Sequence, residues 1–331
     1  MKKKILLLST GGTIASKPGP EGLAPSIGSD DILSMIGVLI QNYEVFSKDL
    51  LHLDSSNIQP EEWRIIAREV YHCAAQYDGI VITHGTDTMA YTTSILAFML
   101  RNVPIPVVVT GSQLPLEHPL TDGFDNLRTA FAMAASQVPG VFLAFNRKVI
   151  LGARAVKIRT TGFDAFESVN CDYAGTVDAG GLNINHQVIP PVQGRFVLED
   201  TLCTDVFLIK LTPGLNPEIF DMLLTMNYRG IVIEAFGAGG LHFIHRDLVS
   251  KLQKIADHGI SVVVCSQCLF ERSDFSIYQT GQKVLEKGVI QGFDMTTEAA
   301  VTKLIWALGQ SQNCEQVRKI FSQSYVGEVA L

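Results

Sequence analysis

Two segments of this chain place a threonine beside glycine where a predicted strand ends. The first runs from Ile5 to Ile14 and contains Thr13, and the second runs from Gly79 to Thr88 and contains Thr86. Glycine lets a backbone approach a ligand closely, and open α/β sheets bind ligands at the carboxyl ends of their strands. The two segments therefore predict hydroxyl chemistry on a small anionic substrate.

A threonine hydroxyl is a poor nucleophile until a base or a hydrogen bond activates it. Asp87 follows Thr86 directly, which alone is weak support. Lys157 is the candidate proton carrier, because a desolvated lysine paired with a carboxylate can shuttle a proton. From spacing alone, however, the favoured interpretation of Lys157 is a solvated surface lysine.

Several other polar residues have both a structural and a functional interpretation. His84 is expected to be a packed, hydrogen-bonded histidine rather than a metal ligand, because no metal-binding spacing surrounds it. The segment 54–57 is either a capping turn or a binding site for a carboxylate or ammonium group. Cys265 and Cys268 have the CxxC spacing, but no second pair completes a zinc site, and packing at a strand end is favoured. The glycine turns complete no nucleotide-binding motif.

Composition limits the class of protein. The 331 residues are 47% hydrophobic and carry a net charge of −7, which suits two folded domains and argues against nucleic-acid or anionic-membrane partners. The basic start, Met1–Lys4, is followed by only four apolar residues, fewer than the roughly seven that a signal peptide needs. We therefore expect a cytoplasmic protein, and the six scattered cysteines suit reduced thiols.

Hydrophobic periodicity indicates alternating strands and helices, typical of a parallel sheet covered on both faces. We predict helices at 61–77, 88–100, 122–135, 217–226, 246–257, 297–308 and 315–322, and strands at 5–8, 79–83, 106–110, 141–145, 149–152, 206–211, 231–234 and 261–265. Thr296 or Thr297 is predicted to cap the helix that follows it. The pattern fails near Pro190 and Pro191. The predicted fold class is thus α/β, with a larger Rossmann- or flavodoxin-like parallel-sheet domain at 1–185, a linker at 186–204 and a smaller α/β domain at 205–331.

Taken together, the ordered motifs resemble the bacterial-type L-asparaginase family, and its cytosolic type I branch in particular. The matching segments cover nearly the whole chain and are 10–14, 54–56, 84–89, 110–113, Lys157, 162–166 and 294–296. The resemblance implies hydrolysis of L-asparagine to L-aspartate and ammonia without a cofactor or metal, at a site where the two domains meet. It also implies a homodimer or homotetramer.

Carried over by position, the resemblance assigns a role to individual residues. Thr13 would be the nucleophile, and Thr86, Asp87 and Lys157 would form a second triad that activates a hydroxyl or water. The substrate-binding residues would be Gly12, Asp54, Ser55, Ser56, Gly85 and Asp87. Of these, Ser55, Ser56 and Asp87 would hold the substrate's α-carboxylate and α-ammonium groups, and backbone N–H groups near Thr13 and Thr86 would stabilise the oxyanion.

Three positions depart from the family pattern. Leu23 stands where many members have a tyrosine that acts on the first threonine. In the family, a glycine-rich turn contributes an asparagine to the active site of the neighbouring subunit, but the same turn here ends in Gly240. Glu234, just before this turn, is the candidate for that role. Cys268 matches a cysteine of a regulatory asparagine site, but Val156 replaces that site's threonine, which weakens the expectation of an effector site.

Two other functions remain open from the residues. The catalytic subunit of a tRNA-dependent amidotransferase shares the fold and triad but carries an additional N-terminal domain, whereas the first threonine motif here begins at residue 10, so we expect the asparaginase. A non-catalytic sensor of asparagine or aspartate is the alternative from another class, and Leu23 favours it while the intact polar residues oppose it.

Overall fold

The computed structural model describes residues 2–19, 22–275, 285 and 288–330, with the backbone alone at 18, 19 and 22–25. Contacts between residues divide the chain into two units, Met1–Leu198 and Glu199–Leu331. Residues 185–205, all of them described, contain no helix or strand.

The first unit is built on an eight-stranded sheet with the order β12-β11-β8-β7-β6-β5-β1-β4. Its strands and helices, with two small hairpins, are β1 (Lys3–Gly11), β2 (Ser16–Gly19), β3 (Gly22–Pro25), α1 (Ser29–Met35), α2 (Gly37–Ile40), β4 (Tyr43–Leu53), α3 (Pro60–Cys73), β5 (Gly79–Thr83), α4 (Met89–Met99), β6 (Pro106–Thr110), α5 (Gly123–Ala134), β7 (Gly140–Phe145), β8 (Lys148–Leu151), β9 (Ala155–Lys157), β10 (Phe166–Ser168), β11 (Gly175–Asp178) and β12 (Gly181–Ile184).

This sheet is mixed rather than parallel throughout. The strands β4, β1, β5, β6 and β7 are parallel, but β8, β11 and β12 add to the sheet in antiparallel fashion. The change occurs at the two-residue connection Asn146-Arg147, where both residues have positive φ, 48° and 61°. Such a turn joins neighbouring antiparallel strands, so this edge departs from the predicted parallel sheet.

Burial explains which strands the sequence revealed. β5 and β6 are buried at every residue, so they form continuous apolar runs of the kind that a covered parallel strand requires. β4 is an edge strand with a partly exposed, alternating pattern, and the sequence interpretation missed it. α4 is likewise buried along nearly its whole length, and its Thr92 hydroxyl lies 3.0 Å from Nε2 of His84, the residue that follows β5.

The second unit has a four-stranded parallel sheet with the order β13-β14-β15-β16. Its elements are β13 (Val206–Lys210), α6 (Ile219–Thr225), β14 (Gly230–Ala235), α7 (Leu248–Asp257), β15 (Ser261–Ser266), β16 (Ile290–Gln291), α8 (Thr297–Gln310) and α9 (Cys314–Phe321). Thr296 caps α8, because its hydroxyl accepts a hydrogen bond from the Ala299 N–H at 3.0 Å. The predicted fold class, a larger α/β domain followed by a smaller one, is confirmed.

Candidate active site

Close contact between two glycines joins the threonine segments that follow β1 and β5. A β-carbon at Gly12 would lie 2.3 Å from the Gly85 nitrogen, and Gly12 has a φ of +81°. Both the contact and the conformation exclude a side chain at Gly12. Thr13 and Thr86 therefore each follow a glycine at the point where the two backbones touch.

Hydrogen bonds between strand ends fix this arrangement. The Thr10 hydroxyl donates to the Thr83 carbonyl at 2.7 Å, the Gly12 N–H donates to the Leu53 carbonyl at 3.0 Å, and the His84 N–H donates to the Thr110 carbonyl at 2.8 Å. The carboxyl ends of β4, β1, β5 and β6 are thereby held together. Parallel α/β sheets bind their ligands at this edge.

Lys157, at the end of β9, connects the two polar residues of the second segment. Its Nζ donates to the Thr86 hydroxyl oxygen at 2.8 Å and to Asp87 Oδ1 at 2.6 Å. The Lys157 side chain is 17% exposed and that of Asp87 is 64% exposed. Interpreting Lys157 as a solvated surface lysine was therefore wrong, and Thr86, Asp87 and Lys157 form a contiguous hydrogen-bonded group.

Gln113 is a further member of the cluster, to which the sequence analysis gave no role. The Thr86 hydroxyl, which accepts from Lys157, donates its proton to Gln113 Oε1 at 3.3 Å. The Gln113 amide nitrogen donates to the carbonyls of Thr160 and Gly162, at 3.2 and 3.0 Å. The TGSQ motif that ends β6 contained the signal for this residue, because it places an amide side chain at the same sheet edge.

The segment 54–57 lies against the same loops. Ser55 is buried, its hydroxyl accepts from the Asp87 N–H at 3.2 Å, and its carbonyl accepts from the Thr88 hydroxyl at 2.7 Å. A β-carbon at Gly85 would lie 2.6 Å from Ser55 Oγ. The segment is thus both a structural turn and a wall of the site, so the two interpretations of the sequence do not exclude each other.

Asp54 caps this turn and remains ionised. Its Oδ1 accepts from the Ser56 hydroxyl at 2.6 Å and from the Ser56 N–H at 2.8 Å. These two hydrogen bonds lower the pKa of Asp54 below its usual value, because they stabilise the charged form. Asp54 and Ser56 are both exposed, so a ligand can reach them.

The structure places other predicted residues elsewhere or leaves them undescribed. Leu23 lies on β3, but its side chain is outside the described part of the chain. Val156 is buried on β9, and Cys268 is exposed in the second unit. Glu234, also in the second unit, accepts from the Thr297 hydroxyl at 2.7 Å.

The two candidate metal-binding features have ordinary structural environments. His84 is fully buried and hydrogen-bonded at both ring nitrogens, which confirms the packed interpretation. Cys265 is buried within β15, and this burial raises the pKa of its thiol to about 12. Over the described ranges, no three His, Cys, Asp or Glu side chains are grouped in a way that could hold a metal ion. Nor does any helix in those ranges have the length and apolar character needed to cross a membrane.

Family models match both units. The model described as "Asparaginase, N-terminal" matches residues 4–190, and the "Glutaminase/Asparaginase C-terminal domain" matches residues 205–321. These two matches cover most of the chain in the expected order. The chain belongs to the asparaginase family.

Three relatives define its place in the family. An L-asparaginase of Thermococcus kodakarensis is 42% identical over 328 residues, covering 98% of this chain and 99% of that protein, and its solved structure has a TM-score of 0.93. L-asparaginase I of Vibrio cholerae, also a solved structure, is 30% identical with a TM-score of 0.88 and full coverage of both chains. A component of the glutamyl-tRNA(Gln) amidotransferase of Methanosphaera stadtmanae is 34% identical, covering 99% of this chain and 77% of that protein. The resemblance to type I asparaginases inferred from the motifs is confirmed.

Proposed function

We propose that this protein hydrolyses L-asparagine to L-aspartate and ammonia, with Thr13 as the nucleophile. The observation that carries the proposal is the hydrogen-bonded group of Thr86, Asp87 and Lys157 beside the Gly12–Gly85 contact. Family membership supports it, since the T. kodakarensis and V. cholerae relatives are L-asparaginases.

The chemistry proceeds through an ester on Thr13. The Thr13 oxygen attacks the carboxamide carbon, and net transfer of the hydroxyl proton to the amide nitrogen expels ammonia. Water then attacks the ester, which releases aspartate and returns a proton to Thr13. An amide is a weak electrophile, so both steps need stabilisation of the oxyanion, and the backbone N–H groups beside Thr13 and Thr86 are our candidates for this role.

The second triad serves proton transfer. Lys157 holds the Thr86 oxygen and the Asp87 carboxylate together at 2.8 and 2.6 Å, so its ammonium group can give a proton to a departing nitrogen. In its neutral form, the same lysine can accept a proton from Thr86 or from an attacking water. General acid–base catalysis of this kind contributes about 10²- to 10⁴-fold to a rate.

Substrate recognition is assigned to the exposed groups around the triad. Asp87, whose carboxylate is largely exposed, suits the substrate's α-ammonium group. The Ser55 hydroxyl accepts from the Asp87 N–H and has its own proton left to donate to the α-carboxylate. The Ser56 hydroxyl gives its proton to Asp54, so its oxygen suits the α-ammonium group. Asp54 orients the Ser56 hydroxyl, and Gly12 and Gly85 provide close backbone approach.

The test is ammonia release from L-asparagine by the purified protein, compared with its Thr13→Ala and Thr86→Ala variants. We expect both substitutions to reduce turnover by several orders of magnitude, in line with the loss of a nucleophile or of its activation. Thr225→Ala is the matched control, because this residue is exposed and, within the part of the chain that the structure describes, its hydroxyl bonds only to its own helix, at the Met222 carbonyl. Wild-type turnover in both active-site variants would refute the assignment.

The amidotransferase relative makes a second amidase function worth testing. Its name specifies a glutamyl-tRNA(Gln) amidotransferase, so the same assay is run with L-glutamine in place of L-asparagine. Ammonia from L-asparagine in preference to L-glutamine supports the asparaginase. The absence of ammonia from either substrate, with L-asparagine still bound, would favour the sensor.

Three further assignments remain predictions from the sequence. We expect a homodimer or homotetramer, which analytical ultracentrifugation measures. A cytoplasmic location is tested by cell fractionation. An effector site that includes Cys268 predicts sigmoidal dependence of rate on L-asparagine, whereas a hyperbolic curve argues against it.

A further inference from the structure

A buried chain of hydrogen bonds leads from the protein interior to the backbone of the second threonine segment. Trp63 Nε1 on α3 donates to the Thr92 hydroxyl on α4 at 3.0 Å, and the Thr92 oxygen lies 3.0 Å from His84 Nε2. At the other side of the ring, His84 Nδ1 lies 2.7 Å from the Gly85 carbonyl. Thr92 and His84 are fully buried, and Trp63 nearly so.

The chemistry of these groups allows one arrangement of protons. A carbonyl only accepts, so His84 Nδ1 carries the hydrogen that bonds to Gly85. Burial lowers the pKa of His84 to about 4, so the ring is neutral near pH 7 and Nε2 is an acceptor. The Thr92 hydroxyl therefore donates to His84 Nε2 and accepts from Trp63. Every polar side-chain atom of these three residues then has a hydrogen-bond partner.

This chain of bonds determines how the Gly85–Thr86 peptide is oriented. In a trans peptide, the C=O and the N–H point in opposite directions. Because the carbonyl of Gly85 is held toward the buried His84 ring, the Thr86 N–H is turned away from it. That N–H makes no hydrogen bond with any other residue in the described ranges, so it is left as a hydrogen-bond donor.

We propose that His84, held by Thr92 and Trp63, is a positioning residue that orients the Gly85–Thr86 peptide for catalysis. This inference rests on the proposed function. The His84 ring is buried and bonds to the Gly85 carbonyl and to Thr92. It acts through the Thr86 N–H and through the Thr86 hydroxyl on the same residue. Glycine at position 85 makes such a restraint necessary, because it leaves the backbone conformationally free.

The decisive comparison is between His84→Asn and His84→Gln. The asparagine amide reaches the position of Nδ1 and can still donate to the Gly85 carbonyl, whereas the glutamine amide reaches the position of Nε2 and meets Thr92 instead. We expect His84→Asn to retain most of kcat. We expect His84→Gln to lose about 100-fold in kcat with little change in KM, the order that follows when a catalytic group is misplaced by about 1 Å. Equal kcat values for the two variants, measured on their folded fractions, would overturn the proposal.

A second pair of variants separates positioning from stability. Thr92→Val and Thr93→Val each remove one fully buried hydroxyl from neighbouring positions of α4. Among the described residues, however, the Thr93 hydroxyl bonds only within its own helix, at the Met89 carbonyl. We expect both to lower the melting temperature and only Thr92→Val to lower kcat. If kcat fell equally in both variants, the hydrogen bonds from Trp63 through Thr92 to His84 would have no specific role in catalysis.

A spectroscopic measurement tests the geometry independently of activity. In ¹⁵N NMR of the ring, His84 is expected to be the neutral tautomer protonated at Nδ1 from pH 5 to pH 8. A ring protonated at Nε2, or a charged ring at pH 6, refutes the inference even if the enzyme hydrolyses asparagine. Conversely, the expected tautomer in a protein without asparaginase activity leaves the hydrogen-bond chain intact and refutes the proposed function alone.

Discussion

Two lysine–carboxylate ion pairs of this protein have the same distance between nitrogen and oxygen but very different degrees of burial. In the first unit, Lys157 lies 2.6 Å from Asp87, with side-chain exposures of 17% and 64%. In the second unit, Lys303 on α8 lies 2.6 Å from Glu328, and both side chains are 0% exposed. The comparison sets the ion pair to which we assign proton transfer against one that is fully buried.

The second pair is saturated with partners. Lys303 also donates to the Gln323 carbonyl at 2.7 Å, and Glu328 accepts from the N–H groups of Tyr325 and Val326 at 3.0 and 2.9 Å. These bonds tie the C-terminal segment to α8. Lys157 instead donates to one exposed carboxylate and one hydroxyl. If it gives up a proton, no buried carboxylate is left without its cation.

Lys157→Met removes the lysine to which we assign proton transfer, and its expected effect on turnover is the largest in this comparison. Turnover of L-asparagine should fall about 10³-fold or more, because general acid–base catalysis contributes up to about 10⁴-fold. The melting temperature should change little, since a partly exposed ion pair contributes at most about 1 kcal/mol. Ammonia release and a thermal melt on the same sample check both expectations; a normal rate would place this lysine outside the mechanism.

Lys303→Met should give the opposite result. It leaves the Glu328 carboxylate buried without its cation, which costs about 3–5 kcal/mol of folding free energy. Urea unfolding measures this loss, and kcat of the remaining folded protein should be unchanged. The control is the double variant Lys303→Met with Glu328→Gln, which buries no charge. If the double variant were as unstable as the single one, the cost would lie in packing and not in the unpaired charge.

His84 extends the comparison to a buried titratable group behind the active-site loops. Burial lowers its pKa from 6.5 to about 4, so between these pH values the unfolded chain binds a proton that the folded protein excludes. Stability is therefore fully present above about pH 6.5 and is lost as the pH falls toward 4, by about 3 kcal/mol in total. Urea unfolding of wild type and His84→Asn across this range should show a steeper decline in wild type. Parallel curves would mean that His84 is not the group responsible.

The sequence predicted the apolar strands and the longer helices well because burial imposes clear periodicity on them. It missed the short helices α1 and α2, and it missed β4, whose edge position leaves alternating side chains partly exposed. It predicted β8 but not its antiparallel direction, which the turn at Asn146-Arg147 decides, and it missed β11 and β12 beyond it. The strand-end glycines marked Thr13 and Thr86 as candidates, and the resemblance assigned roles to them and to Asp87 and Lys157. Spacing alone could not group these residues, because Lys157 is 70 residues from Asp87 and only the folded chain brings them together. The role of Gln113 required the three-dimensional contact with Thr86.

Two glycines with similar backbone conformation test how tightly the catalytic edge is packed. Gly12 has φ +81° and would place a β-carbon 2.3 Å from the Gly85 nitrogen, whereas Gly259 has φ +76° and open space around that position. Gly259→Ala should cost only the strain of a left-handed conformation, about 1–2 kcal/mol, and leave kcat unchanged. Gly12→Ala carries the same strain and must also push apart the loops that hold Thr13 and Thr86. It should therefore be the less stable of the two and lose activity in its folded fraction, as urea unfolding and ammonia release will show. Equal stability and equal kcat in the two variants would mean that the loops can separate without consequence, so that their contact is not what places the two threonines.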